Sequence, residues 1–175
     1  RLVVESEETF DVEITAAPLT FQNETAVQII AREITERRRA SESLRQSEER
    51  YRELFENAND IVYTHDLAGR FTSLNKAGER VSGYSRDEAL QLGVQDVLPP
   101  ELVPVAHEML AKKITGEETT TFYELEIVAK DGSRVPGEVG TRLIHEHGKP
   151  VGVQGIARDI TERKRAEAQL KQSLS

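Results

Sequence analysis

A repeat constrains this chain more than any other feature. Residues Ile30–Ser47, IAREITERRRASESLRQS, recur 126 residues later as Ile156–Ser173, IARDITERKRAEAQLKQS. Twelve of the eighteen aligned positions are identical, and Glu33/Asp159 and Arg38/Lys164 are like-for-like exchanges. Order preserved over that length marks an internal repeat, so the fold must be one that occurs in series. Each copy begins as an apolar strand end, passes through Glu/Asp-Ile-Thr-Glu-Arg, and continues as a charged helix. The similarity also reaches upstream. RLVVESEETFDVEI at the N-terminus aligns with EIVAKDGSRVPGEV at an offset of 125, the extra residue falling in the second hairpin turn. Residues 1–34 are therefore expected to be the last three strands of a preceding unit, and the chain an excerpt of a longer polypeptide.

The 175 residues leave room for one domain with its own core plus flanking pieces. A formal charge of −8 and a pI near 5.2 argue against nucleic acid as a partner. The basic run Arg37–Arg39 is flanked by acids and reads as a solvated helical face. Cysteine is absent, which excludes disulfides, thiolate metal sites and a cysteine nucleophile. No run of eighteen apolar residues exists, so no membrane contact is expected within the chain. Neither Met nor a signal-peptide pattern opens it. A cytoplasmic location is expected, whether or not the parent protein is membrane-attached.

Taken in order, Leu2–Val4 reads as a short strand and Glu5–Glu8 as a turn. Phe10–Phe21 alternates as a half-buried strand should, Gln22–Thr25 turns, and Ala26–Ile34 returns. From Thr35 to about Ala58 the pattern is helical. Ala40, Leu44, Ser47, Tyr51 and Leu54 fall at spacings of 4, 3, 4 and 3, an a/d seam that predicts a parallel dimer linker, the alternative being a monomeric amphipathic helix capping the following sheet. The second copy starts the same seam with Ala166, Leu170 and Ser173. Asp60–Asp66 and Arg70–Asn75 read as a hairpin through Leu67-Ala68-Gly69. A helix follows from Lys76 to Gly83. Ser85-Arg86-Asp87-Glu88 is a capping box opening a short helix to Gly93. A longer helix runs from about Glu101 to Thr115. Thr119–Ala129, Ser133–His145 and Val151–Ile160 are three further strands. Strands in hairpins with grouped helices predict an α+β fold with an antiparallel sheet and helices on one face.

With these elements laid out, the chain resembles a PAS domain of the PAS/PAC sensor type. The resemblance is carried by SEERYRELFENANDIVYTHD, GRFTSLNKAGERVSGYSRDEAL, the KDG hairpin in ELEIVAKDGSRVP, and GKPVGVQGIARDITERKRAE. It covers residues 48–165, with 1–39 resembling the tail of a preceding PAS unit. It implies the PAS fold, a five-stranded antiparallel sheet closed by the helices of Lys76–Thr115, flanked by amphipathic linker helices. The expected divisions are 1–34 (incomplete unit), 35–50 (linker helix), 51–161 (complete PAS domain) and 162–175 (outgoing helix). The implied function is non-catalytic: sensing a small molecule or mediating homodimerisation, and relaying a change to an output domain of the same polypeptide. In such proteins a histidine kinase or diguanylate cyclase commonly follows, and neither catalytic signature lies in this chain.

The inward rows Ile61, Tyr63, Phe71, Leu74, Tyr123, Leu125, Ile127, Val139, Thr141 and Leu143 are the candidate pocket lining. Gly140, Gly152 and Gly155 are expected to leave room beside them. Asn75 ends a strand at the mouth of the helical lid, suited to meet a ligand or to cap the next helix. Asp159, Ile160 and Thr161 are the candidate relay: Asp159 to accept from backbone amides or pair with a cation, Ile160 in the core, Thr161 to cap the outgoing helix. No cofactor is the leading expectation. The resemblance also admits haem on His107, since haem-binding PAS domains use a His on this helix. Here it falls one position late, and Tyr123 stands where those relatives carry arginine. Photochemistry of the LOV or photoactive-yellow-protein kind needs a cysteine and is excluded; non-covalent flavin is an alternative without positive support. The remaining histidines, His65, His145 and His147, show no metal-site spacing. A third reading is a structural dimerisation spacer that holds no ligand.

Overall fold

The computed structural model describes residues 10–21, 24–116 and 120–173. The expected strand Leu2–Val4 and turn Glu5–Glu8 lie outside the described residues, as do two residues of the Gln22–Thr25 turn. By internal packing the chain divides into two compact units, Arg1–Arg52 and Glu53–Ser175.

In the first unit, β1 (Val12–Phe21) and β2 (Glu24–Glu33) pair antiparallel in a two-stranded sheet. Helix α1 (Thr35–Glu56) follows. The alternation read as half-buried does not bury a face: β2 is exposed along its whole length, and Ile14 on β1 is 66% exposed. A two-stranded sheet has no second layer to cover its apolar row. The junction into α1 is nonetheless tightly made. Ile34 N donates to Asp11 O (2.9 Å), Arg38 N donates to Ile34 O (2.9 Å), and the Thr35 hydroxyl accepts from Asp11 N (2.9 Å).

In the second unit five strands form one antiparallel sheet in the order β4-β3-β7-β6-β5. They are β3 (Ile61–Asp66), β4 (Phe71–Leu74), β5 (Thr120–Val128), β6 (Arg134–Glu146) and β7 (Lys149–Asp159). In the β3–β4 turn the Asp66 carboxylate accepts from Ala68 N and Arg70 N, both at 2.9 Å. Helix α2 (Lys76–Ser82) stops at Gly83, whose φ of 74° an L side chain rarely adopts. Helix α3 (Arg86–Ala89) opens on the expected capping box, with Ser85 and Glu88 each holding the other's backbone amide. It ends well before Gly93, where the sequence pattern would carry it. The backbone there is taken by the sheet: Phe71 N donates to Leu92 O (3.1 Å) and Val94 N to Gly69 O (2.8 Å). Helix α4 (Val103–Ile114) is preceded by a 3-10 turn, Pro100–Leu102. Helix α5 (Thr161–Ser173) leaves the end of β7.

The core lies between the sheet and α2–α4, around Ile61, Leu74, Ala89, Val139 and Ala157, with Tyr63, Val81 and Tyr84 packed against it. Gly155 and Gly140 are occupied rather than open. A Cβ on Gly155 would collide with the Tyr63 ring, its partner across the β3–β7 ladder, and one on Gly140 with the Phe122 ring. The room these glycines leave is filled by aromatic side chains, on opposite faces of the sheet. At Gly152 the neighbour is the His65 carbonyl.

The sequence repeat is also a repeat of backbone geometry. Val12 pairs with Glu33, Glu13 with Arg32 and Ile14 with Ala31; Gly137 pairs with Asp159, Glu138 with Arg158 and Val139 with Ala157. Ile160 N donates to Pro136 O (3.0 Å) and Lys164 N to Ile160 O (2.9 Å), matching the two bonds at Ile34 and Arg38. One bond differs. Thr35 accepts from Asp11 N in the first unit, whereas Pro136 has no N–H to offer Thr161.

Candidate functional site: an apolar cavity under the helical lid

A cavity of about 170 Å³ lies between the inner face of the sheet and the helices that cover it. Alternation brings Ile61, Tyr63, Tyr123, Leu125, Ile127, Val139 and Thr141 to that face, and Phe71 and Leu74 join them from β4. These nine of the sequence-selected residues meet in one wall. Asn75 and Leu143 do not. Leu143 is half-buried opposite Val153 in the β6–β7 register. Asn75 is wholly buried and uses its amide internally. Its Oδ1 accepts from Gly78 N and Val62 N, both at 3.0 Å, and its Nδ2 donates to Phe55 O (3.1 Å) and Asp60 O (3.0 Å). It is a helix cap that also ties β3 and the end of α1 to the lid.

The lid supplies wall residues from α4, namely Ala106, His107, Met109, Leu110 and Lys113. His107 is exposed as a residue and sits at the rim. Lys113 is the residue that sequence reasoning missed. It is 4% exposed, and its Nζ donates to the Thr141 hydroxyl at 2.6 Å. The signal was present: Lys113 follows Ala106, Met109 and Leu110 at helical spacing, a cation inside an apolar stripe. His65, a strand-end residue by its sequence position, is also buried in the wall. Its Nδ1 donates to the Asp66 carbonyl (2.7 Å), which fixes the tautomer because a carbonyl only accepts. Burial, with help from the Lys113 charge, pushes the His65 imidazole below its ordinary 6.5. Burial raises the phenols of Tyr63 and Tyr123 above their ordinary range, eased at Tyr123 by a hydrogen bond to Thr141. Tyr63 meets Phe71 edge-on, with ring centroids 5.7 Å apart.

On the reverse of the sheet the same two strands grip the outgoing helix. Glu124 and Glu138 stand directly opposite each other on β5 and β6, a like-charge pair that alone would repel. Arg163 of α5 answers both, at 2.5 Å to Glu124 and 3.2 Å to Glu138, and Lys164 adds a second contact to Glu124 at 2.9 Å. The Lys164 ammonium, with Arg163 beside it, holds the Glu124 carboxyl below its ordinary range. Of the expected relay residues, Ile160 is buried, and Asp159 Oδ1 accepts from Thr161 N at 2.8 Å at the start of α5. The linker-seam residues Leu44, Tyr51 and Leu54 are exposed along α1, as are Ala40 and Ser47. Among the described residues no group of three or more His, Asp or Glu is arranged to hold a metal ion, and no helix is long and apolar enough to cross a membrane.

A five-stranded antiparallel sheet in this strand order, cupped by short helices over an apolar cavity, defines the class of α+β domain to which the chain belongs. The chain belongs to the PAS fold family, which it matches over residues 55–165. It is similar to the methyl sulfide methyltransferase-associated sensor of Methanosarcina acetivorans, with 35% identity over 129 residues, 73% of this chain and 13% of that protein. Sporulation kinase C of Bacillus subtilis is 27% identical over 153 residues, 83% of this chain and 35% of the kinase. Among solved structures, a domain of the sensory box sensor histidine kinase/response regulator from Geobacter sulfurreducens superposes with a TM-score of 0.57 at 28% identity, covering 66% of this chain and 96% of that one. The PAS domain of an HTR-like protein from Haloarcula marismortui gives 0.60 at 22% identity, covering 70% and 99%, and shows the fold alone. The chain spans about a third or less of the curated relatives named here. What it shares with them is a PAS sensor domain of signalling proteins, without the catalytic part of a kinase.

Proposed function

We propose that residues 51–161 are a ligand-sensing relay whose input is occupancy of the cavity and whose output is the angle and order of α5. The observation that carries this reading is that β5 and β6 have two jobs. Their inner faces supply Tyr123, Val139 and Thr141 to the cavity, and their outer faces supply Glu124 and Glu138 to Arg163 and Lys164. A change in wall packing that shifts one strand against the other changes the spacing of the two carboxylates that hold the helix. Asp159 and buried Ile160 fix the pivot between strand and helix. The relatives' names as sensors and kinases support an output domain further along the same polypeptide.

The cavity volume favours a small metabolite. At about 170 Å³ it falls below the roughly 300–1,000 Å³ of pockets for drug-sized ligands, the class to which haem and flavin belong. Native mass spectrometry of freshly purified chain, beside its visible spectrum, tests the reading. A non-covalent mass excess of one small molecule per chain without a visible band is the expected result. A Soret-type band would instead favour haem and bring His107 forward as its ligand.

Two further parts of the reading concern α1 and the strands before it. The a/d row of α1 forms a parallel homodimer seam; the exposure of Leu44 (62%) and Leu54 (70%) supports this. Residues 1–34 are the closing strands of a preceding PAS unit, which the shared register of β1–β2 and β6–β7 supports.

A further inference from the structure

One side chain in the cavity wall has a polar edge that the fold leaves unused. His65 is 8% exposed, and its ring is fixed by three contacts. Nδ1 donates to the Asp66 carbonyl at 2.7 Å. The Tyr63 ring lies 6.2 Å away at an interplanar angle of 16°, and the Phe71 ring meets the imidazole edge-on at 6.5 Å. Because the proton of the neutral ring is held on Nδ1, Nε2 carries a lone pair and can only accept. Burial keeps the ring neutral at pH 7, and the Lys113 charge acts in the same direction. Nε2 has no hydrogen-bond partner among the described residues. A buried acceptor left unpaired is costly, and most such atoms in folded proteins are paired.

We propose that the cavity binds a small neutral aromatic molecule with one hydrogen-bond donor, of the phenol class, which donates to His65 Nε2. This rests on the reading of the cavity as a ligand site, and names the ligand class. A ketone, ether or ester brings only lone pairs to a lone pair. A cationic amine loses its hydration in an apolar cavity, where the Lys113 charge already disfavours a second positive charge at His65. The flanking rings of Tyr63 and Phe71 offer a face and an edge to a flat ligand. Size sets the other limit. An apolar cavity of about 150 Å³ admits benzene, so about 170 Å³ holds one ring with a small substituent. The imidazole is held in place before any ligand arrives, so the bond costs little ordering. His65 also pairs with Val153 on β7, which puts the seat one strand from the root of α5.

The test compares phenol with toluene, which has a methyl group in place of the hydroxyl, on the full 175-residue chain by calorimetry and thermal shift. Toluene leaves water more readily, so the readout is the ratio of the two affinities in each variant, not either affinity alone. His65→Leu, which keeps the bulk and removes the acceptor, is expected to lower the phenol-to-toluene ratio about three- to tenfold. His65→Gln, whose amide oxygen is an acceptor at similar reach, is expected to keep most of it. In the wild type, phenol should shift the His65 Nε2 nitrogen resonance well beyond the effect of toluene, a readout that needs no variant to fold. A ratio unchanged in His65→Leu, or a resonance that phenol does not move, is the result for an acceptor served by water alone. It would overturn the donor seat and leave ligand sensing standing. Binding of neither compound, by a chain that purifies empty, would overturn both.

Discussion

At the scale of single residues, the domain depends on side chains whose polar atoms are spent internally. Asn75 makes four hydrogen bonds to backbone groups of α2, β3, the turn before β3 and the last turn of α1. Asn75→Ala leaves those partners unsatisfied in a buried setting and is expected to cost about 3 kcal/mol or more, read from chemical denaturation. A loss within a few tenths would show that the cap is replaceable by solvent. His65 makes a prediction in pH. Its folded imidazole titrates below 6.5 because burial disfavours its charge, so the unfolded chain binds the proton first as pH falls. Its contribution to stability is therefore complete above about pH 6.5 and is lost as pH drops from there toward the lowered folded value. Between pH 7.5 and about 5.5 the wild type should lose more stability than His65→Gln; equal slopes would place the titration elsewhere.

At the scale of elements, the joint between sheet and α5 carries the argument. The Arg163 side chain and its partners are exposed to solvent, so Arg163→Ala is expected to cost no more than about 1 kcal/mol of global stability. Its local effect is larger in kind. Glu124 and Glu138 then face each other without the guanidinium that bridges them, and the first turn of α5 should exchange its amides faster. Arg165→Ala, outside that set of pairs, should not do so; equal effects would deny the clamp. The other element with a prediction of its own is α1. Leu44→Asp puts a charge in the proposed seam at an exposed position and should weaken dimerisation about tenfold or more by light scattering. An oligomer of unchanged mass would remove the seam.

At the scale of the whole chain, the architecture was largely legible and the site only partly. Repeat, turn chemistry and period gave the order of strands and helices, because each rests on local rules that the tertiary fold did not override. The α3 boundary was not legible, since its backbone is claimed by a strand some twenty residues earlier in the chain. The inward rows identified nine wall residues, while Asn75 was claimed by capping. Lys113 escaped because only the packing of α4 onto β6 turns a lysine in an apolar stripe into a buried cation. The empty face of β1–β2 could not be read either, because alternation records which face is apolar and says nothing about what covers it.

The central claim is that occupancy of the cavity is felt at α5, on the far side of the sheet. Hydrogen exchange on the full chain, with and without saturating benzene, an apolar probe of a size the cavity admits, tests it directly. The account predicts slower exchange in the β5 and β6 wall residues together with altered exchange across residues 161–165. Slower exchange in the wall with residues 161–165 unchanged would mean that the cavity binds without signalling, and would contradict the relay.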